Sequence, residues 1–513
     1  MQPVSQTYNP YPADRTVDAE IAFKLVDTQA ARNAAPAAAG ADPVSNLAQI
    51  IREENRAGGR WSTLEPGLWL LDGTFHTLPE TLDQEPMGLW TQLSGDDGTF
   101  DTSPLLTLTL SEPASSVGFT LHFDDQADQW PGEVGVQVWL GGTLLAEKTL
   151  QNYGPTMLID LPLDGYDKVA FTFLKTAWPR RRVRLYSVLF GIVQKFTGAS
   201  LVSAAWTAGA SAGGESLPAR ELVFTFDNGD QKYNLINPNG LYRYLQDGQE
   251  IDSALLIGGE KISMGVHHFQ KAEAKDGALT AEITASDRIL WLDSESYEVG
   301  ADGFWPLTQA VAAVLGEKIP LDMPAALGAR LVNRCIPKGT TKREALRFLA
   351  QAARCACWMG RDGVLLFREL TLGEAVDTLD GTNLETMDGV SVTQPVDKVV
   401  LRVVNEFYWS GVEEAIKTQT KEYTAGTGNH VLTVQNPCAY DGQAVAAWLL
   451  ETKKRRLRYT CTGRGNPALE VGDTVTIFNA YDEAGPGAVT GYEAVYDGGL
   501  TETLEALGPA WAN

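Results

Sequence analysis

Cysteine is scarce in this chain: five among 513 residues, at 335, 355, 357, 438 and 461. So odd and scattered a set is not the dense, even framework of a small disulfide-stapled domain. Cys355 and Cys357 lie two apart in what reads as a helix, so their side chains face different ways and close no zinc site together. Histidine is equally thin. His76, His122, His267, His268 and His430 show no HExxH spacing, and the adjacent pair at 267–268 sits in a strand pattern that points its rings to opposite sides. No metal and no cofactor is expected. Positive charge is also short: 41 Lys plus Arg against 65 Asp plus Glu leave a net charge of −24. A long-range field that attracts phosphates is therefore absent, and no specific nucleic-acid binding is expected. No apolar run approaches the roughly 20 residues of a membrane helix, so no membrane insertion is expected. Met1 to Ser5 shows no basic leader running into an apolar core, so no secretion signal is expected either.

What is present is an ordinary globular composition, 44% hydrophobic and 21% charged. At roughly 100 to 200 residues per domain, about three or four domains are expected. Residues 17 to 26 alternate apolar and polar side chains, a half-buried strand that needs a partner from further along. The Ala/Pro/Gly-rich stretch 30 to 43 reads as a linker or loop, and a short polar helix is expected around Ser45 to Asn55. From Trp61 to Gly191 the pattern is almost wholly β, with short runs at 68–71, 105–110, 117–123, 134–140, 144–150, 157–161, 168–174 and 183–190. That number and length of strands suit one jelly-roll sandwich. Small polar residues from 198 to 218 lead into a strand at 221–228, with more strands at 251–257, 262–270 and 278–285. The strand at 17–26 is their natural complement, which makes the sandwich an insertion. Helical spacing at Pro306 to Leu315 and Thr341 to Cys357, the latter opened by a Thr341-to-Glu344 capping box, leads to a strand at Val364 to Phe367. β patterns return at 399–404, 456–462 and 473–479, with a helix from Asp441 to about Lys454.

Trp69 to Gly73, Gly88 to Asp96, Gly118 to Asp124 and Arg182 to Gly191 together resemble the galactose-binding-like (discoidin, coagulation factor 5/8 type C) sandwich. The resemblance implies glycan binding through loops at one end, here Trp90 to Phe100 and Asp124 to Trp130. Trp90 and Trp130 would offer flat apolar faces to sugar rings, and Asp96, Asp97 and Asp128 would accept hydroxyl hydrogen bonds. The plainer alternative makes the tryptophans core or rim and the aspartates turn formers.

Outside the sandwich, the chain resembles the phage tail hub family. The matching residues are Phe224 to Asn228 through Tyr233 and Asn234, Val266 to Phe269 with Ala285 to Asp287, Thr341 to Leu346 through Arg361 to Phe367, and Arg464 to Asp473 with its Asn-Pro and Val-Gly-Asp turn. The resemblance implies two barrel-like domains per subunit and a homotrimeric ring of six pseudo-equivalent barrels, which adapts a six-fold tube to a three-fold tip through heterologous contacts. A negative conduit wall would keep DNA from sticking.

Other motifs are weaker. Gly209 to Gly213 matches the GxSxG elbow literally, but no buried strand and helix flank it as that chemistry demands. A carboxylate pair for glycoside hydrolysis is not identifiable in a chain so rich in acids. The runs Arg180 to Arg184 and Lys453 to Arg458 read as solvated faces or ion-pair donors, with an anionic glycan or DNA as the sharper alternative. The pairs Gly141-Gly142 and Gly258-Gly259 read as hairpin turns.

The fold expected is mainly β with a small α+β domain: two hub β-barrels plus an inserted jelly-roll β-sandwich. The boundaries are 1–60 and 192–295 for a discontinuous first barrel, 61–191 for the sandwich, 296–375 for the α+β domain, and 376–513 for a second barrel with one helix. The expected role is structural, without catalytic residues or cell-wall cleavage, at a virion tail tip assembled in the bacterial cytoplasm. Its expected partners are itself as a homotrimer, a distal tail or tube protein, a tip fibre or spike, and a host cell-surface glycan. The alternative is a carbohydrate-binding protein or an accessory module of a glycoside hydrolase.

Overall fold

The computed structural model describes residues 1–513 except 53–61, 63–71, 75–76, 78–86, 126, 300–302, 317–318, 408–416, 482 and 511–513. The strand expected at 68–71 and His76 lie outside the described residues. The chain is mainly β and folds as two compact units. The larger comprises Met1–Ala22, Lys195–Asn237 and Glu250–Asn513, and the smaller Phe23–Gln194 and Pro238–Gln249. No helix among the described residues is long and apolar enough to cross a membrane.

The smaller unit is a sandwich organised by two very long strands, Leu105–Phe123 and Thr156–Thr176. They pair with each other twice. Residues 105–109 lie against 168–172, and residues 118–122 against 156–160, with register breaks between. Each strand therefore turns a corner and serves both layers, so the runs expected at 105–110 and 117–123 form one strand, as do 157–161 and 168–174. Gly118, at φ +149°, occupies the corner; a Cβ there would sit 1.9 Å from the Ile159 carbonyl oxygen, so only glycine fits. Pro131–Leu140 and Thr143–Gln151 extend the layer formed by 168–176, and Arg184–Leu189 extends the other. Gly141 and Gly142, both left-handed, make the turn of the expected hairpin. The core between the layers is aromatic: the Phe119 ring meets Tyr166, Phe171 and Phe190 edge-on.

Residues 30–43 are not a linker. Ala34–Ala39 is an edge strand paired with 105–110, and Ala30, Ala34, Ile50 and Ile51 are buried in the sandwich core, so the boundary expected at 61 falls much earlier. Alanine carries little strand preference and the run offers no large apolar alternation, which hid it; Pro36 is tolerated because the strand is an edge. Of the helix expected around Ser45 to Asn55, Gln49–Arg52 is helical.

The larger unit is built on one 13-stranded sheet. Its path runs from Leu384–Val392 through Leu457–Gly463, Leu500–Leu507 and Ala484–Tyr496 to Leu201–Gly209, then through Glu221–Asp227, Thr280–Ser286, Glu260–Glu273 and Glu250–Ile257 to Val17–Val26 and Gly191–Thr197. Thr474–Phe478 and Ala375–Leu379 branch from Ala484–Tyr496. The strand at 17–26 thus lies in the same sheet as those at 221–286, and its period-2 pattern buries Ala19 and Ile21. The early and late halves meet at Leu201–Gly209, in a segment expected to be only small and polar. That strand pairs with Glu221–Asp227 on one side and Ala484–Tyr496 on the other. Trp206 lies at its centre, fully buried, with its indole N–H donating to Ser253 Oγ at 2.9 Å.

Helices Leu307–Leu315 and Lys342–Ala352 pack with strands Ala356–Met359 and Leu365–Arg368 in a second core. Thr341 Oγ1 caps the second helix by accepting from Glu344 N at 3.2 Å. That helix ends at Ala352 and Arg354 turns left-handed at φ 61°, so Cys357 lies in a strand; the helical reading of Cys355 and Cys357 was incorrect, because helix-compatible Ala-Cys composition continued past the true stop. All five cysteines are free and buried. The segment expected as one second barrel, 376–513, divides. Strands Lys398–Phe407, Lys417–Gly426 and Val431–Gln435 form their own sheet and, with helix Gly442–Lys454, contribute Val399, Leu401, Val445 and Leu449 to the α+β core.

The turn at 464–473 is tied to the rest of this unit by a buried arginine. Arg361 donates to the carbonyls of Ser263 at 2.8 Å, Pro467 at 2.6 Å and Leu469 at 2.7 Å, joining the α+β segment to both halves of the large sheet. Asn466 N donates to Glu502 Oε2 at 2.8 Å, and the Tyr8 hydroxyl donates to Asn466 Oδ1 at 3.0 Å, fastening the N-terminal segment over the turn. Burial raises the Glu502 carboxyl to about 7.

Candidate functional site

Because both long strands of the sandwich start and finish at the same end, four loops collect there: 91–104, 124–130, 152–155 and 177–183. Backbone bonds knit them together. Thr176 N donates to Gly98 O at 2.9 Å, Ala177 N to Trp130 O at 3.0 Å, Arg184 N to Gln129 O at 2.9 Å, and Asn152 N to Gly132 O at 2.9 Å. The Asn152 amide also donates to the Pro131 and Gly154 carbonyls, at 2.9 and 2.8 Å, fixing the loop that carries Tyr153. Loop positions held this way are ordered before any ligand arrives.

All five residues singled out in the sequence map to this end, in different roles. Trp90 does not face solvent. It is 1% exposed, its indole N–H donates to Met87 O at 3.1 Å, and the Arg184 guanidinium lies 4.7 Å from its ring centroid. Arg184 is itself buried and paired with buried Asp124 at 3.3 Å. Trp90 is thus the floor under the loops and stacks on no sugar; its strand, Leu89–Trp90, adds to Arg184–Leu189, whose first residue covers it. Asp97 is a turn former: one carboxylate oxygen accepts from both Thr99 N at 2.9 Å and Thr99 Oγ1 at 2.7 Å, bonds that hold its carboxyl below the usual range. Asp96 is exposed and pairs with exposed Arg180, whose hydrogen bond lowers the Asp96 carboxyl. Asp128 is exposed at a left-handed position, φ 52°. Trp130 is half-buried, packed against the sandwich core along part of its ring.

Two aromatic residues at this end escaped the sequence reading. Trp178 is 55% exposed, and the Tyr153 side chain is 90% exposed. Both neighbour the start of strand Pro131–Leu140, Tyr153 through the Asn152 bonds and Trp178 through the Ala177 bond. Tyr153, Trp178 and Trp130 thus lie on loops that rim this one end, as do Asp96, Asp128 and Arg180. Flat apolar faces beside exposed carboxylates and a guanidinium suit a ligand that stacks and offers hydroxyls. Trp178-Pro179 before three arginines was the available signal: an aromatic residue in a turn, where no core requires it.

No group of three or more potential metal ligands occurs among the described residues.

No protein-family model matches the sequence, and no curated protein matches it. Solved structures do. The chain is similar to the 43 kDa tail protein of prophage MuSo2 from Shewanella oneidensis, with 16% identity over 61% of this chain and 95% of that one, at a TM-score of 0.44. It is similar to the tail protein from Neisseria meningitidis MC58, with 13% identity over 73% and 96%, at 0.41. Over 33% of its length it is also similar to the family 32 carbohydrate-binding module of C. perfringens NanJ, solved with galactose, with 10% identity over 97% of that chain, at 0.20.

Proposed function

We propose that this chain is a structural tail hub protein of a phage or phage-like particle, forming a homotrimeric ring at the tail tip, and that its sandwich is a host-glycan-binding module. One observation carries the reading. A single chain contributes two sheet lobes joined edge to edge, with Leu201–Gly209 from the early half paired to Ala484–Tyr496 from the late half. Three such chains present six lobes, which matches a six-fold tube on one side and a three-fold spike or fibre on the other. The turn at 464–473, on which the family resemblance rests most heavily, is held by Arg361 at the meeting point of both lobes and the α+β segment.

Within this reading the protein catalyses nothing. It meets a distal tail or tube protein and a tip fibre or spike, is assembled in the bacterial cytoplasm, and ends in the virion. Mass photometry of the purified chain tests it: three chain masses with a three-fold ring in negative stain are expected. A monomer at micromolar concentration that nonetheless binds glycans would replace the hub with the alternative, a free carbohydrate-binding protein, which the exposed Trp178 and Tyr153 favour.

A further inference from the structure

The loop containing Gly209, Ser211 and Gly213 leaves strand Leu201–Gly209 and runs into no helix, and it is pinned by hydrogen bonds. Ser211 Oγ donates to Glu215 Oε2 at 2.7 Å and accepts from Glu215 N at 3.0 Å, while buried Gln351 donates to Gly213 O at 2.9 Å. The loop walls two adjoining cavities in the larger unit, of about 470 and about 230 Å³, both of which touch Ala212 and Thr452. The larger has the size of an ordinary ligand pocket.

In a chain of net charge −24 the cleft is cation-rich. Two of its cations are answered: Lys453 pairs with Glu215, and Arg330 with Glu369. Three are not. Arg455 is half-buried and donates only to neutral carbonyls, those of Leu370 at 2.7 Å and of Leu507 and Gly508 at 3.0 Å. Among the described residues no carboxylate lies within salt-bridge distance of Arg455, of exposed Arg458, or of Arg354, which is held left-handed at the smaller cavity. A partly desolvated guanidinium bonded to carbonyls alone keeps its full charge unbalanced. Val396, Leu432 and Leu507 supply apolar wall beside these charges.

We infer that this cleft binds an acidic, partly apolar peptide segment of a partner protein, carboxylates on Arg354, Arg455 and Arg458 and apolar side chains on Val396 and Leu432. A nucleic acid fits less well: a phosphate chain has nothing to bury against the apolar wall of Val396, Leu432 and Leu507, whereas the apolar side chains of a peptide do.

A fluorescein-labelled hexapeptide alternating Glu and Leu, titrated with the full chain and followed by anisotropy, tests this. Saturable binding is expected, absent for the Gln/Leu counterpart, lost in 0.5 M salt, and weakened about tenfold by Arg458→Glu. Arg354→Glu, made separately, gives a second reading should either variant lose its native melting curve. Equal binding of the Gln peptide, no binding at all, unchanged affinity in both folded variants, or binding of inorganic tripolyphosphate without the peptide would each overturn the assignment.

Discussion

The aromatic rim of the sandwich makes a quantitative demand. A tryptophan side chain presents about 250 Å² when fully open, so at 55% exposure Trp178 offers about 140 Å². A sugar ring covers one face, about half of that, and at about 25 cal/mol per Å² the burial contributes about 1.7 kcal/mol. Trp178→Ala should therefore raise the Kd for a bound glycan about 20-fold. Thermal stability should hardly change, because the exposed indole supports no core. Trp130→Ala should do both, since part of that ring packs on the core. The assay is a glycan array on the full chain, followed by calorimetric titration of the best ligand against Trp178→Ala, Tyr153→Ala and Trp130→Ala, each with a melting curve. If Trp178→Ala and Tyr153→Ala both bind within twofold of the parent, the rim is not the site, and the stacking argument fails with it.

Three further outcomes follow from the same geometry. Trp90→Ala should destabilise the sandwich by about 3 to 5 kcal/mol in a denaturant titration, as a buried aromatic does, whatever ligand is present. Asp97→Asn should leave glycan affinity within twofold, since that carboxylate is already engaged by Thr99; a large loss would return Asp97 to the site. Glu502 should make the larger unit less stable as pH rises. Its folded pKa, about 7, exceeds the ordinary glutamate value of 4.5, so between those values the folded chain holds the proton that the unfolded chain releases. Stability is therefore lost from pH 4.5 towards 7, by about 3 kcal/mol at full titration. Glu502→Gln should flatten that slope in unfolding measurements at pH 5, 6, 7 and 8; an unchanged slope would refute the assignment.

The parts of this fold legible in the sequence are those where large apolar residues alternate or recur. Val17–Val26, Glu221–Asp227 and the helix at 342–352 declare themselves because their buried faces are Ile, Phe and Leu. The parts that stayed hidden are built of small residues. Ala34–Ala39 and Leu201–Gly209 are both alanine-rich, and alanine carries neither strand preference nor a hydrophobic period. Yet the second of these joins the two halves of the large sheet. At the site the failure was of another kind: exposure is not written in residue type. Trp90 and Trp178 are equally tryptophan, but Trp90 adjoins a strand whose Arg184 covers it, while Trp178 lies in the crossover between layers.

The long strands also explain why the loop end is the part of the sandwich free to acquire a ligand. Register is set elsewhere, at the corner near Gly118 and in the ladders on either side of it, where a shift of one residue would turn Phe119 and Leu121 outward. The loops 91–104, 124–130, 152–155 and 177–183 begin after those ladders are complete. Changes in their length or side chains thus cost little of the core's stability, while Trp90, Arg184 and Asp124 keep the floor beneath them fixed. A substitution that altered ligand choice at the exposed Trp178 or Tyr153 should leave the melting curve of the sandwich where it was, whereas one at Trp130 should lower it.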